Sequence, residues 1–506
     1  MLVLLALLPT PHSLFAQEAD NGKIIYEKWC VGCHGATGAG DGEAATSMLP
    51  RPRDFTGAIY QIRTTASGEL PTDDDLRRVI DNGMPGTTMP AWRSRLSDNE
   101  RDDVIAYLKS FSDFFEDEAP EPIAISKPPK VTDEGLAEGR QLYVEEVQCL
   151  KCHGDAGRGD GPSAPTMTDD AGFPIRPADL TENWKFNGGG SVEDIFLRMR
   201  TGLDGTPMPS NSDVIDAGIL TEEQLWRVAQ YVRSLSPEDA PNPSDVIRAA
   251  LVEGVLPAGP EDSVWSGIAK FWIPLVGQII QKPRWFAPTV DGIWAQAVHD
   301  GSSLALKLSW DDPSSSPSTD WEDYFQLVVQ TMSDIDGAAP TEQGPDRVTV
   351  QFPLRSPEGT ELPYFLGGDS RRPVYEWQWS SAPDQIAEGR ATGLGTFTAY
   401  AASQVGHSAS FEAGRWQLQI TRSLVPEDSS VAPVLVPGEP IRIAFFVADG
   451  SNGEVGKRGS VSAWSSLYLD VPTPTRVYVA PVVAVLLTAG LGMVVVLRAQ
   501  KHETGA

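Results

Sequence analysis

Three patterns of apolar positions divide the chain. Between residues 20 and 237 apolar side chains recur at helical spacing, most clearly in LSDNERDDVIAYLKSF (96–111) and LTEEQLWRVAQYVRSL (220–235). In both, a Ser or Thr precedes an acidic first turn, the usual opening of an amphipathic helix. From about residue 245 the period falls to two, in SLALKLSW (303–310), RVTVQFPL (347–354), RWQLQITRSL (415–424) and IRIAFFVAD (441–449), with Gly, Pro, Asp and Ser between the runs. That texture predicts the short strands of a β-sandwich. The apolar stretch 264–280 fits a helix or an extended segment equally well. Finally, residues 477–497 form an apolar run of 21 residues, preceded by VPTPTR and followed by Arg498, Lys501 and His502. Such a run can cross a hydrocarbon core of about 30 Å, and the basic flank predicts a cytoplasmic tail, 498–506.

The helical part is a repeat. GKIIYEKWCVGCHGATGAGDG (22–42) matches GRQLYVEEVQCLKCHGDAGRGDG (139–161), RPRDFT (51–56) matches RPADLT (176–181), and NGMPGTTMPAW (82–92) matches RTGLDGTPMPS (200–210). Two copies of one small fold are the expected outcome. Between them EDEAPEPIAISKPPK (116–130), rich in Pro and charge, reads as an extended linker. The expected organisation is therefore multidomain: two small all-α domains at 20–115 and 131–237, a β-sandwich at 245–472 and a transmembrane helix at 477–497. At the N-terminus, MLVLLALLPTPHSLFAQEAD has the apolar and small-residue order of a secretory signal cut after Ala16, without a basic flank. The bulk of the chain is thus expected on the periplasmic or extracytoplasmic side, tethered to the cell membrane.

Charge narrows the partners. A net charge of -29 and a pI near 4.5 repel phosphate backbones, so nucleic acid is excluded and protein partners are favoured. The four cysteines, Cys30, Cys33, Cys149 and Cys152, all fall in two C-x-x-C-H motifs completed by His34 and His153. Two thiols three positions apart on a helical turn can form thioethers to a haem, and the adjacent His reaches the iron. A zinc site would need motifs from two separate copies to converge on one ion. The expected cofactors are therefore two covalent haem c groups. For the sixth ligand, Met89 and Met208 each sit in G-T-x-M-P, and each follows its His by the same interval, 34 to 89 and 153 to 208. Their rivals are weaker. Met84 is replaced by Leu203 in the second copy, and Met199 lies on a helical stretch where a core role is the ordinary one.

On these motifs and the terminal helices with Tyr107 and Tyr231, each copy resembles the class I cytochrome c family. The resemblance implies low-spin haem with His and Met ligands that relays single electrons. Residues 245–470 resemble the haem-binding domain of the ethylbenzene dehydrogenase gamma-subunit family, partners of molybdoenzymes of the dimethyl sulfoxide reductase type. The carriers are LALKLSWDD (304–312), DRVTVQFPL (346–354), PYFLGGDSRRPVYEWQW (363–379), AGRWQLQITRSL (413–424) and DGSNGEVGKRGSVSAW (449–464). That resemblance implies a haem b held between a Met and a Lys. Here Gly367 and Gly459 stand at those places, leaving Met332 and Lys457 as substitute ligands and favouring a haem-free docking domain. His299 and His407 read as structural. The tryptophans 294, 310, 377, 379, 416 and 464 read as an aromatic core, with a sugar-binding groove as the rival.

The expected function is electron transfer between a periplasmic or membrane-bound oxidoreductase and the respiratory chain, without a catalytic residue. The resemblance points to a molybdopterin enzyme such as a nitrite oxidoreductase-like complex as partner. Two alternatives stand beside it: a dihaem peroxidase, which needs one open iron, and a module whose sandwich recognises a glycan or protein.

Overall fold

The computed structural model describes residues 11–117, 120–332, 339–355, 361–472 and 476–503. Of the expected signal segment 1–16, residues 1–10 lie outside the described residues. Residues 11–16 belong to a first helix, Pro11–Trp29, that continues past Ala16.

The two haem-motif domains are built on one plan. In the first, Pro11–Trp29 crosses the terminal helix Asp98–Lys109; in the second, Asp133–Glu145 crosses Glu222–Ser234. The crossings are close because Gly22 and Gly139 lack side chains. A Cβ on Gly22 would stand 1.9 Å from the Asp103 carbonyl oxygen, and one on Gly139 would stand 2.2 Å from that of Arg227. One turn on, Tyr26 meets Tyr107 edge-on at 5.3 Å and Tyr143 meets Tyr231 at 5.4 Å. Reciprocal Ser or Thr capping boxes at Thr72, Ser97, Ser191 and Thr221 start four helices.

The segment between the copies is extended but not free. Ile123 donates its amide to the Thr64 carbonyl at 2.9 Å, and Trp226 and Gln230 of the second domain donate to Ser126 and Pro129. Residues 118–119 of this linker lie outside the described residues.

The third domain is one large mixed sheet of 14 strands. Its main path runs Gly406–Glu412, Arg415–Ser423, Ser303–Asp311, Gly292–His299, Val246–Leu251, Ser465–Leu469, Pro440–Ala448, Arg347–Pro353, Val374–Ser381, Asp384–Ala391 and Thr398–Ala399. Val246–Leu251 runs parallel to both neighbours, and the other pairings on the path are antiparallel. Trp379 and Trp416 stand on strands far apart in this order, yet their rings lie 5.0 Å apart. The sheet therefore curls until its two halves face each other across one core. Trp310, Trp377, Trp379 and Trp416 are buried in that core, whereas Trp294 and Trp464 are partly exposed. The stretch 264–280 is neither a single helix nor a single strand: it holds a short helical turn, Ser263–Gly267, and two strands, Phe271–Pro274 and Val276–Gly277. One helix, Glu322–Met332, interrupts the β texture and packs on Ala164 of the second domain through Tyr324, Val328 and Met332. Last comes Arg476–Glu503, whose window Pro481–Gln500 has a mean hydropathy of 2.3 and is entirely exposed.

Glu376, on Val374–Ser381, is buried with one bond, from Gln378 Nε2 at 2.8 Å. Burial pushes its carboxyl up from 4.5 to about 7. Between those values the folded chain keeps a proton that the unfolded chain releases, so this group makes stability fall as pH rises through the window. Glu376→Gln should make the decline of the melting midpoint across that window shallower; an unchanged slope would contradict the assignment.

Candidate haem sites

Each C-x-x-C-H motif forms the single turn that follows the first helix of its domain, Val31–His34 and Leu150–His153. The amides of His34 and His153 bond the Cys30 and Cys149 carbonyls, both at 2.9 Å. This turn places both thiols and the His of each motif along one crevice. Gly35 and Gly154 end the turns at positive φ, +76° and +78°, and the Tyr26 and Tyr143 hydroxyls donate to their carbonyls at 2.7 Å. A Cβ on either glycine would strike the carboxylate of Asp41 or Asp160, at 1.9 and 1.8 Å.

The imidazoles are oriented from behind. His34 Nδ1–H donates to the Arg53 carbonyl at 3.0 Å and His153 Nδ1–H to the Ala178 carbonyl at 2.9 Å, equivalent positions of the repeat. A carbonyl only accepts, so the proton lies on Nδ1 and Nε2 is left bare for a metal. Burial holds both imidazoles below their usual value, which preserves the neutral ligand form. Burial also pushes the Cys30 and Cys149 thiols up, to about 11 and about 12, unlike the lowered thiol of a reactive thiolate site.

Each crevice is also lined by a methionine loop with the same hydrogen bonds in both copies. Met84 and Leu203 donate their amides to the Met89 and Met208 carbonyls at 3.0 and 3.1 Å, and the amides of Met89 and Met208 donate to Thr87 and Thr206 Oγ1. Gly83 and Gly202 open the loops at φ +66° and +69°. Met89, Met208, Met84 and Met199 all line the haem crevices. Met199 is buried on Val192–Thr201 at the place Ile80 holds in the first copy, 46 residues after the motif His (153 to 199, 34 to 80), as a core side chain would be.

The two crevices open into one cavity of about 1860 Å³ that touches all four cysteines and both histidines. The third domain supplies part of its wall through Leu275, Phe286, Asp291 and Tyr324. Two thiols, one imidazole and apolar walls in each crevice fit covalent haem.

What the sequence did not show is how the domains are joined. Arg63 is fully buried and donates to Tyr60 and Thr201 carbonyls while pairing with Asp204 at 2.8 Å, so it ties the first domain to the methionine loop of the second. Arg198 reaches back to the carbonyls of Gln61 and Arg63. The Arg-Pro pair of each repeat also grips the same helix: Arg51 donates to the Thr331 carbonyl at 3.0 Å and Arg176 to the Tyr324 hydroxyl at 2.8 Å. The only signal for this was the shared Arg-Pro.

The residues suggested for haem b do not fit one. Gly367 has φ +77°, and a Cβ there would lie 2.7 Å from the Gly393 carbonyl carbon, so backbone fills the space where a ligand side chain would start. A Cβ on Gly459 would stand 2.5 Å from the Val447 carbonyl oxygen. Lys457 lays its stem against Gly395, while Met332 is buried among Trp285, Trp321, Tyr324 and Val328. His299 donates to the Asp470 carbonyl at 2.9 Å and His407 to Asp384 at 2.9 Å, both structural contacts.

Comparison with known proteins agrees with the geometry of the first two domains. Residues 17–108 match the family described as cytochrome c oxidase, cbb3-type, subunit III, and residues 136–236 match cytochrome c. A Haloferax mediterranei protein, ORF7, described as a candidate respiratory nitrate reductase haem subunit, is 26% identical over 42% of this chain and 70% of its own length. The cbb3-type cytochrome c oxidase subunit CcoP of Rhodobacter capsulatus is 28% identical over 44% of this chain and 64% of its own. A chain of the Kuenenia stuttgartiensis reducing HAO-like protein complex is 46% identical, covering 43% of this chain and 96% of that one, with a TM-score of 0.40. The protein thus contains two cytochrome c-type domains with covalent haem c, joined to a large mixed β-sheet domain and an apolar C-terminal helix. It is an electron-transfer cytochrome.

Asp204→Ala would strand the buried Arg63 guanidinium. The expected cost is roughly 3 kcal/mol, the low end for a buried pair because Asp204 keeps some exposure. A melting midpoint equal to wild type would show that this bridge does not hold the two domains together.

Proposed function

We propose that the protein is a membrane-anchored relay in which two haem c groups, ligated by His34 and Met89 and by His153 and Met208, exchange electrons within one enclosure. The observation that carries this reading is the shared cavity: two matching sets of thiols, His and Met loop open into the same space. Relatives described as subunits of redox complexes support a redox enzyme as partner on one side and the respiratory chain on the other. A molybdopterin oxidoreductase of the nitrite oxidoreductase-like kind is the partner we infer, with the third domain as a sandwich that docks it. In this reading residues 1–16 direct export, 477–497 span the membrane and 498–506 face the cytoplasm. The haem domains then lie on the periplasmic side, where anchoring confines the search for partners to two dimensions.

A peroxidase reading requires one iron with an exchangeable sixth position. The equal hydrogen-bonded Met loops in the two copies disfavour it. Among the described residues no second observation favours a glycan groove, since the tryptophans at 310, 377, 379 and 416 are core.

Met89→Ala and Met208→Ala are each expected to keep covalent haem, to turn one of two centres high-spin and to lower its midpoint potential. Optical and electron paramagnetic resonance spectra read this directly. A spectrum unchanged by either substitution would overturn that axial assignment, and a high-spin centre in the resting wild-type protein would favour the peroxidase.

A further inference from the structure

Three loops meet at one end of the third-domain sheet. The strand Ser303–Asp311 ends next to Asp312, and Asp346 directly precedes Arg347–Pro353. Asp449 directly follows Pro440–Ala448, which pairs antiparallel with Arg347–Pro353 so that Ala448 faces Arg347. The sheet register brings Asp346 and Asp449 together, and the curl of the sheet adds Asp312 from a strand farther along its path. All three are buried, and their nearest carboxylate oxygens lie within 4.8 Å of one another.

The hydrogen bonds orient these carboxylates without exhausting them. Asp346 takes the amides of Ser316 and Gly450 and the Trp416 indole N–H, at 2.7, 3.0 and 3.1 Å. Asp449 Oδ1 takes the amide and hydroxyl of Ser451, and Asp312 Oδ1 takes the Ser314 amide. The second oxygens of Asp312 and Asp449 are sealed from water and accept no hydrogen bond. A neighbouring cation is Arg176 of the second haem domain, whose Nη1 is 3.6 Å from Asp449 Oδ2 and whose other nitrogens serve Tyr324 and Thr289. Arg176 and Arg347 lie beside these carboxylates, and the acidic groups outnumber the two, with a fourth at Glu454 accepting the Asp449 amide. Like charges this close cannot all stay ionised without a counter-charge, and an unmet carboxylate oxygen in a dry site is costly.

We propose that Asp312, Asp346 and Asp449 hold one calcium ion at the seam between the third domain and the second haem domain. Calcium binds oxygen at about 2.3–2.6 Å, so oxygens on opposite sides of one ion can be up to roughly 5 Å apart, which accommodates the observed spacing. Magnesium keeps several waters and prefers to be held by only one or two carboxylates, whereas this cluster is closed and built from three. The ion also fixes the geometry around Arg176. Asp312 and Asn452 border the haem cavity, and Arg176 is the side chain that couples the second Arg-Pro pair to the sheet.

The test uses the full-length, haem-loaded protein. Metal content is measured after dialysis against calcium-free buffer, and the melting midpoint is recorded in EGTA and during re-addition of calcium chloride. The proposal expects about one calcium per chain, a lower midpoint in EGTA and recovery with calcium but not with equimolar magnesium. It also expects Asp312→Asn to keep the haem spectrum while binding calcium about tenfold more weakly or worse. Wild type that shows neither bound calcium nor a shift in midpoint up to about 1 mM calcium would overturn it, as would undiminished calcium binding by Asp312→Asn. Should that variant fail to fold, the wild-type EGTA and calcium series still decides.

Discussion

Two haem crevices can share a cavity only if the walls between them are held by groups that dispense with water, and buried arginines do this here. Arg63 and Arg198 cross between the haem domains in opposite directions, each onto backbone carbonyls of the other domain. Arg63 also carries the methionine loop of the second domain through Asp204. Arg51 and Arg176, equivalent in the repeat, both end on the helix Glu322–Met332 of the third domain. A guanidinium suits this task because its planar fork serves several carbonyls or carboxylates at once and stays charged. The cost of breaking one such contact is large, because the partner left behind is buried and charged. The enclosure therefore rests on a few side chains that touch no haem ligand set directly.

Within that frame the chemistry needs little from the protein. Each motif His is presented with its proton turned away from Nε2, and each Met loop is tied by its own threonine. Arg53 links the two sites in the chain's own structure. Its carbonyl orients His34, while its guanidinium lies 3.6 Å from where a side chain on Gly205, in the Met208 loop, would begin. A Cβ there would meet the first domain at ordinary contact distance, and the positive φ of +79° is what favours glycine.

Much of this was legible in the chain. The repeat, the C-x-x-C-H turns, the capped terminal helices and the change to period two all appear where the apolar pattern put them, because each is local. The linker was legible as extended but not as docked, since its partners, Thr64, Trp226 and Gln230, lie in two other domains. The curl of the large sheet was invisible for a similar reason: period two fixes which face of a strand is buried, not which distant strand packs against it. Parallel pairing around Val246–Leu251 and the helix Glu322–Met332 also depend on contacts made only once the domain closes. Met332 and Lys457 were singled out by residue type and strand register, which do not show which cluster a side chain enters: Met332 packs with Trp285, Trp321, Tyr324 and Val328, and Lys457 lies against Gly395.

The most direct test of this account is a pyridine haemochrome assay on the purified full-length protein, before and after acid-acetone extraction. The account predicts two covalent haem c groups per chain and no extractable haem. A single covalent haem would contradict the equivalence of the two sites, and an extractable haem b would contradict the reading of the third domain as haem-free.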